Sequence, residues 1–378
     1  MTKTNPESQY FALMRSALWG IPTVIEGEVD WDAVMRLAKH HATNVLLSDV
    51  ASQITGNNRP SDSMLGEMQS AMRFNLINQM QLKRILVSAV KLLQAHNIDP
   101  VLLKGFSLAM LYPNPSLRQF GDIDLYVGLN DFHEACKLLR TLPGGYNWEE
   151  EVDSGRHYNI EFGHYPMEIH RVSADLSGYK ELDVYETIEH EGLHEKKQHV
   201  DFEGHKLAIP SKEFMIFYTF FHAWHHFLTT GVGWRQLSDL AITLHAYHGQ
   251  LDTDKLYQWI TSMHLLKPWQ TFGYLLVDNL GLPMAEMPFY ESSCRRRAHK
   301  LFSRVMAEGN FLRPNRFKRN RPKQTSMKKL HSFMGIFVNF FQLSAIFPGQ
   351  AFREMNTALK QGFGKKFKKN DFFSLRMN

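Results

Sequence analysis

Apolar residues over the first hundred positions recur at the three-and-four spacing of a helix face. Trp31, Val34, Met35 and Ala38 mark one such face, and Asp30 stands where a capping residue belongs. Residues 61–95 continue as a long run of helix formers with a stripe of Met64, Met68, Met72 and Leu76. A stripe of this kind predicts a packed face rather than a cofactor box. The run ends at Asn97-Ile98-Asp99-Pro100, because proline disfavours the helical conformation in the residue before it.

From Val101 the period changes. Val101, Leu102 and Leu103 read as a short buried strand, and residues 105–112 as a short helix closed by Pro113. Gly121 then leads into a strand at 122–127, where Asp122 and Asp124 alternate with Ile123 and Leu125. Asn130 can cap the next helix, with Phe132, Ala135, Cys136 and Leu139 as its buried face and Gly144-Gly145 as its stop. Strands at 156–162 and 166–172 follow, joined by a link short enough for an antiparallel hairpin, and residues 202–205 mark a second hairpin turn. Beyond Pro210 the pattern is helical again: Ser211 caps an aromatic helix at 214–228, and residues 235–248 turn Leu237, Leu240, Ala241 and Leu244 to one side. The fold class expected is α+β, a small mixed sheet with flanking helices. The expected division is a helical region at 1–98, a sheet-bearing core at 99–209, a helical domain at 210–312 and a tail at 313–378.

Composition adds bounds. The chain has 378 residues, 44% hydrophobic and 21% charged, which is the balance of a soluble globular protein with room for two or three domains. Its two cysteines, Cys136 and Cys294, have no metal-like spacing and read as thiols of a reducing compartment, so a cytoplasmic location is expected. The start of the chain lacks the basic-then-apolar pattern of a signal peptide. The most apolar late run, residues 333–347, falls short of the ~20 residues a membrane-spanning helix needs. Charge is uneven. Residues 311–378 hold 15 Lys and Arg against 2 Asp and Glu, whereas the preceding 310 residues hold 28 against 36. Basic stretches at 313–329 and 365–369 bracket the aromatic run, a pattern that suits a solvated tail, nucleic-acid phosphates or peripheral contact with an anionic membrane surface.

The candidate chemistry lies between residues 101 and 170. Asp122 and Asp124 project from one face of a strand, and two carboxylates placed together repel unless they share a divalent cation; hard oxygen ligands suit Mg2+ or Mn2+. Glu168, flanked by Met167 and Ile169 on a later strand, supplies a third acid. Such a set could hold two metal ions ~3.5–4 Å apart, the spacing used for in-line phosphoryl displacement. Lys104-Gly105-Phe106-Ser107 opens a helix, where unpaired N–H groups favour phosphate oxygens, and Lys104 or Arg118 can neutralise triphosphate charge. His170 shares a strand face with Glu168 and can bond a carboxylate or a phosphate, the plainer reading being a surface histidine; His157 is similar. His222 and His226 have the i, i+4 spacing of helical metal ligands, but no glutamate follows His222 as a zinc-protease helix requires, so an aromatic core or a cleft lining is favoured. Arg235 and Asp239 are also i, i+4, and either pair on a helix surface or help order a cleft wall.

Leu103-Lys104-Gly105, Arg118, Asp122-Ile123-Asp124-Leu125 and Glu168-Ile169-His170, in that order, resemble the nucleotidyltransferase superfamily typified by DNA polymerase beta. More closely, the chain resembles poorly characterised bacterial nucleotidyltransferases that carry a Leu-Lys-Gly turn, an arginine before Asp-Ile-Asp-Leu and an acid-hydrophobic-His strand. Residues 233–240 resemble the helix that follows the catalytic core in those proteins. The resemblance implies a polymerase beta-like core and transfer of a nucleoside monophosphate from an NTP to an acceptor hydroxyl. It implies Asp122, Asp124 and Glu168 as metal ligands and catalytic groups, and Lys104, Gly105, Ser107, Arg118 and His170 around the nucleotide. Two departures stand out: Phe106 follows the glycine where the superfamily has serine or glycine, and the third acid is glutamate. Other readings are a binding module of the same fold without turnover, and a metal-dependent glycosyltransferase using Asp-x-Asp. Sugars, aminoglycoside-like molecules, protein side chains and RNA ends all stand as acceptors.

Overall fold

Helix ends follow their capping residues. The computed structural model describes residues 5–146, 156–310 and 325–363. Asn5 accepts the Glu7 N–H at the start of α1 (Pro6–Trp19), and Asp30 accepts the Ala33 N–H at the start of α2 (Trp31–His40). After α3 (Asn44–Ala51), Ser61 accepts the Met64 N–H and opens the long α4 (Asp62–Gln94). The apolar stripe expected on α4 holds at Met68, with Met64 and Met72 partly covered, but Leu76 is 48% exposed. Asn75 and Gln79 turn inward there instead, donating to the carbonyls of Ser116 at 2.7 Å and Arg118 at 2.8 Å. Those carbonyls have no strand or helix partner, and a buried acceptor costs free energy unless a donor reaches it.

Seven strands form one mixed sheet among the described residues: β1 (Val101–Leu102), β2 (Ile123–Tyr126), β3 (Gly145–Tyr146), β4 (His157–Phe162), β5 (Tyr165–His170), β6 (Gln198–Phe202) and β7 (His205–Ile209). Their order is β3-β4-β5-β2-β1-β7-β6. The short α5 (Phe106–Ala109) links β1 to β2, which pair antiparallel, while α6 (Gly128–Leu139) belongs to the connection that brings β5 parallel to β2. The two expected hairpins form. β4 and β5 pair from Phe162 against Tyr165 to His157 against His170, and β6 and β7 close on Glu203 and Gly204, both at positive φ as a tight hairpin turn requires.

The remaining helices are α7 (Leu182–His190), α8 (Lys212–Thr229), α9 (Trp234–Ala246), α10 (Thr253–Ser262), α11 (Leu266–Asp278), α12 (Arg295–Glu308), α13 (Thr325–Ser344) and α14 (Pro348–Phe363). Two cores divide the molecule. One lies between α4, α6 and the sheet, built on Leu82, Leu86, Leu125, Ile160 and Ile169. The larger one surrounds α8, whose Phe214, Phe217, Phe220, Phe221 and Trp224 are fully buried. Residues from both ends of the chain join it: Phe11 of α1 packs edge-on against Trp234 at 4.6 Å, and Phe347 packs edge-on against Trp224 at 5.0 Å. Part of the late aromatic run therefore docks on the body, while Phe341 remains 66% exposed. The side chains of the basic stretches at 313–329 and 365–369 lie outside the described residues. No described helix is long and apolar enough to cross a membrane.

Candidate active site

The parallel pairing of β2 with β5 sets Asp124 directly beside Glu168. Asp122, at the edge of β2, completes a group whose ligand atoms all lie within 4.8 Å of one another. Asp124 is buried, at 1% exposure, whereas Asp122 and Glu168 are 33% and 30% exposed.

Charge is balanced locally. Gly105, at φ 73 and ψ −112, turns the chain after β1, and the Lys104 ammonium comes to 3.2 Å from both Asp122 Oδ2 and Asp124 Oδ2. Burial opposes the Lys104 charge, but the two aspartates outweigh it and raise its pKa. Burial likewise raises Asp122, yet Lys104 and Arg235 more than offset it, leaving that carboxyl below the usual range. Asp124 goes the other way: burial, reinforced by Asp122 and Glu168, outweighs Lys104 and His170, and its pKa is raised.

His170 is buried beneath the acids rather than on the surface. Its Nε2 lies 3.1 Å from Asp124 Oδ1 and 3.4 Å from Glu168 Oε2, and these carboxylates raise its pKa against the effect of burial. In return His170, with Lys104 and His157, pulls Glu168 down despite its burial. His157 stands opposite His170 across the hairpin, with burial pushing it down to about 4. His157, Glu168 and His170 form a second close group of metal-type ligands. The Arg156 Nε–H donates to His157 Nδ1, however, so the neutral ring carries its proton on Nε2, 4.0 Å from Glu168 Oε2.

The wall opposite the sheet comes from α8 and α9. Between them and the Gly105 turn lies a cleft lined by Lys104, Arg118, Asp122, Tyr218, His222 and Arg235. Arg118 does not stand free there: its guanidinium grips Asp239 through Nε at 2.6 Å and Nη2 at 2.9 Å, and donates through Nη1 to the Gly105 carbonyl at 3.1 Å. The pairing of Arg235 with Asp239 on a helix surface, one of two readings of their spacing, is thereby corrected. Asp239 is buried and taken by Arg118 and Tyr112, and Arg235 Nη1 donates to the Gln119 carbonyl at 2.8 Å. His222 and His226 bond each other through Nε2 at 3.0 Å, and His226 Nδ1 reaches the Thr230 hydroxyl. Ser107 is buried within α5, its hydroxyl makes no hydrogen bond, and it does not line the cleft.

Tyr218 and Tyr112 were not legible as site residues. Tyr218 shares the α8 face of His222 at i, i+4, which is the signal that could have found it. Tyr112 carried none, because its partner Asp239 is 127 residues away.

The acidic donors fit a divalent cation. All are carboxylate oxygens, and the buried Oδ2 of Asp124 accepts no hydrogen bond, only the ion pair with Lys104. Fold and site together define an α+β protein with a cluster of three carboxylates on a mixed sheet. The chain belongs to a family described as an uncharacterised nucleotidyltransferase, whose model matches residues 27–281. Neither a curated protein nor a solved structure matches it.

Proposed function

We propose that this protein transfers a nucleoside monophosphate from a nucleoside triphosphate to an acceptor hydroxyl. The observation that carries this reading is the register of β2 and β5, which sets Asp124 beside Glu168 and gathers three carboxylates with Asp122. Divalent metal ions held by Asp122, Asp124 and Glu168 would supply charge neutralisation for the triphosphate and a more acidic acceptor hydroxyl. The acceptor oxygen attacks the α-phosphorus as the bond to the β-phosphate oxygen breaks, and pyrophosphate leaves. Glu168, held ionised by His170 and partly open to solvent, accepts the hydroxyl proton. Asp124 is fixed by His170 below it, so the acids keep their places without substrate. Lys104 neutralises the aspartates in the resting state and stands within the cleft, ready to turn to a phosphate oxygen. The bare turn at Gly105 lets the triphosphate approach the backbone, and Arg118 acts on that turn through its carbonyl.

The test is transfer of label from each α-labelled NTP, with Mg2+ or Mn2+, to material extracted from the source cell. Label should move with the wild type and not with Asp122→Asn/Asp124→Asn. If neither protein transfers label and neither binds nucleotide in a metal-dependent way, the reading fails.

A further inference from the structure

Beside the cleft a second cavity of about 260 Å³ runs between α3, α4 and the segment that leads into β2. It shares Phe120 and Arg235 with the cleft and reaches Gly121, the residue before Asp122. Through Asn44 and Ala71 it continues into a further cavity of about 460 Å³ toward Met64 and Glu67. The nearer cavity falls just short of the roughly 300–1,000 Å³ of small-molecule pockets, and its continuation leaves room for a longer ligand.

The lining is rich in carboxamides, each fixed at one end. Asn78 Oδ1 accepts from the Tyr165 hydroxyl at 3.1 Å, Asn75 Nδ2 donates to the Ser116 carbonyl, and Gln119 Oε1 accepts the Val45 N–H. Among the described residues, Asn78 Nδ2, Asn75 Oδ1 and Gln119 Nε2 have no hydrogen-bond partner. Two donors and one acceptor are thus aimed by the protein and left over. A hydroxyl, which both gives and takes a hydrogen bond, matches such a set. Phe74 stands at the same cavity with 66% of its surface exposed, an apolar face for the C–H side of a ring. Charge excludes a polyanion: Lys39 is paired with Glu67 at 3.6 Å, and Arg235 is turned to the Gln119 carbonyl, so no row of cations awaits phosphates.

We propose that this trough binds the acceptor and that the acceptor is a neutral saccharide. The proposal rests on the transferase reading above. The sugar ring lies on Phe74, its hydroxyls meet Asn75, Asn78 and Gln119, and one hydroxyl is directed past Gly121 toward Asp122.

Binding can be read without turnover. Saturation-transfer NMR on the full chain, with a panel of neutral mono-, di- and trisaccharides as probes, should show signal for at least one sugar with the wild type and with the turnover-deficient Asp122→Asn/Asp124→Asn variant. Phe74→Ala, at an exposed position that leaves the fold intact, should weaken that binding roughly fivefold to tenfold, and Asn78→Ala should do likewise. No saturation transfer to any sugar, or transfer unchanged in both trough variants, would overturn the proposal. Saccharide binding without nucleotide transfer would keep the trough and sink the transferase reading. Labelled nucleotide arriving on RNA or protein would keep the transferase and sink the saccharide.

Discussion

Arg118 and Asp239 form two parallel N–H···O bonds across 121 residues of sequence, buried between the Gly105 turn and α9. The same guanidinium holds the Gly105 carbonyl and the same carboxylate takes the Tyr112 hydroxyl, so the pair joins the sheet-bearing core to the helical wall. A buried ion pair loses much of its attraction to desolvation, but removing one partner strands the other. Asp239→Ala should therefore cost about 3–5 kcal/mol in urea unfolding, and an Arg118→Met/Asp239→Leu double variant should recover most of it. A single variant within about 1 kcal/mol of wild type would refute the stranded-charge account.

Gly105 allows a second test. At φ 73 and ψ −112 its backbone lies where side chains are strained, although an added Cβ would meet Phe120 and Asp122 only at ordinary contact distances of 3.5 and 3.6 Å. The cost of Gly105→Ala is thus conformational, about 1–3 kcal/mol by thermal unfolding. Relief of that strain would shift Lys104, so the affinity for NTP should fall together with the stability.

Much of the site was legible because its signals are local. Alternation places Asp122 and Asp124 on one face, and an acid between Met167 and Ile169 announces a third from a neighbouring strand. Helix caps at Asp30 and Ser211 were equally plain, since each cap is decided by three or four consecutive residues. What sequence could not show depends on partners far apart. The inward turn of Asn75 and Gln79 follows from carbonyls about forty residues later, and Asp239 chose Arg118 over Arg235 because the fold brings the distant arginine in at bidentate geometry. His170 reads as buried only once β2 and β4 flank its strand.

Asp124 separates stability from activity. Burial and the neighbouring acids penalise its ionised form, so Asp124→Asn relieves a cost while Lys104 keeps Asp122 as its partner. The variant should unfold within about 1 kcal/mol of wild type or slightly later, yet lose transfer by on the order of a hundredfold or more. A variant that lost both in proportion would mark Asp124 as structural.

Glu189 of α7 supplies a pH dependence. Its carboxylate is buried, with Oε1 accepting the Ser173 N–H at 2.6 Å and Oε2 accepting the Tyr126 hydroxyl at 3.3 Å, which ties α7 to the ends of β2 and β5. Burial pushes its pKa from 4.5 up to about 7, more than those hydrogen bonds and His170 pull it down. Between these two values the native state keeps a proton that the unfolded chain has released, so stability falls as pH rises and levels off above about 7. The contribution is fully present below the unfolded value and lost through the folded one, about 3 kcal/mol in all. Glu189→Gln keeps an acceptor for Ser173 and removes the titration. Urea unfolding from pH 4 to 8 should therefore show the wild type losing stability relative to the variant across that window, with the gap constant above it. Parallel curves would show that Glu189 titrates alike in the folded and unfolded chain.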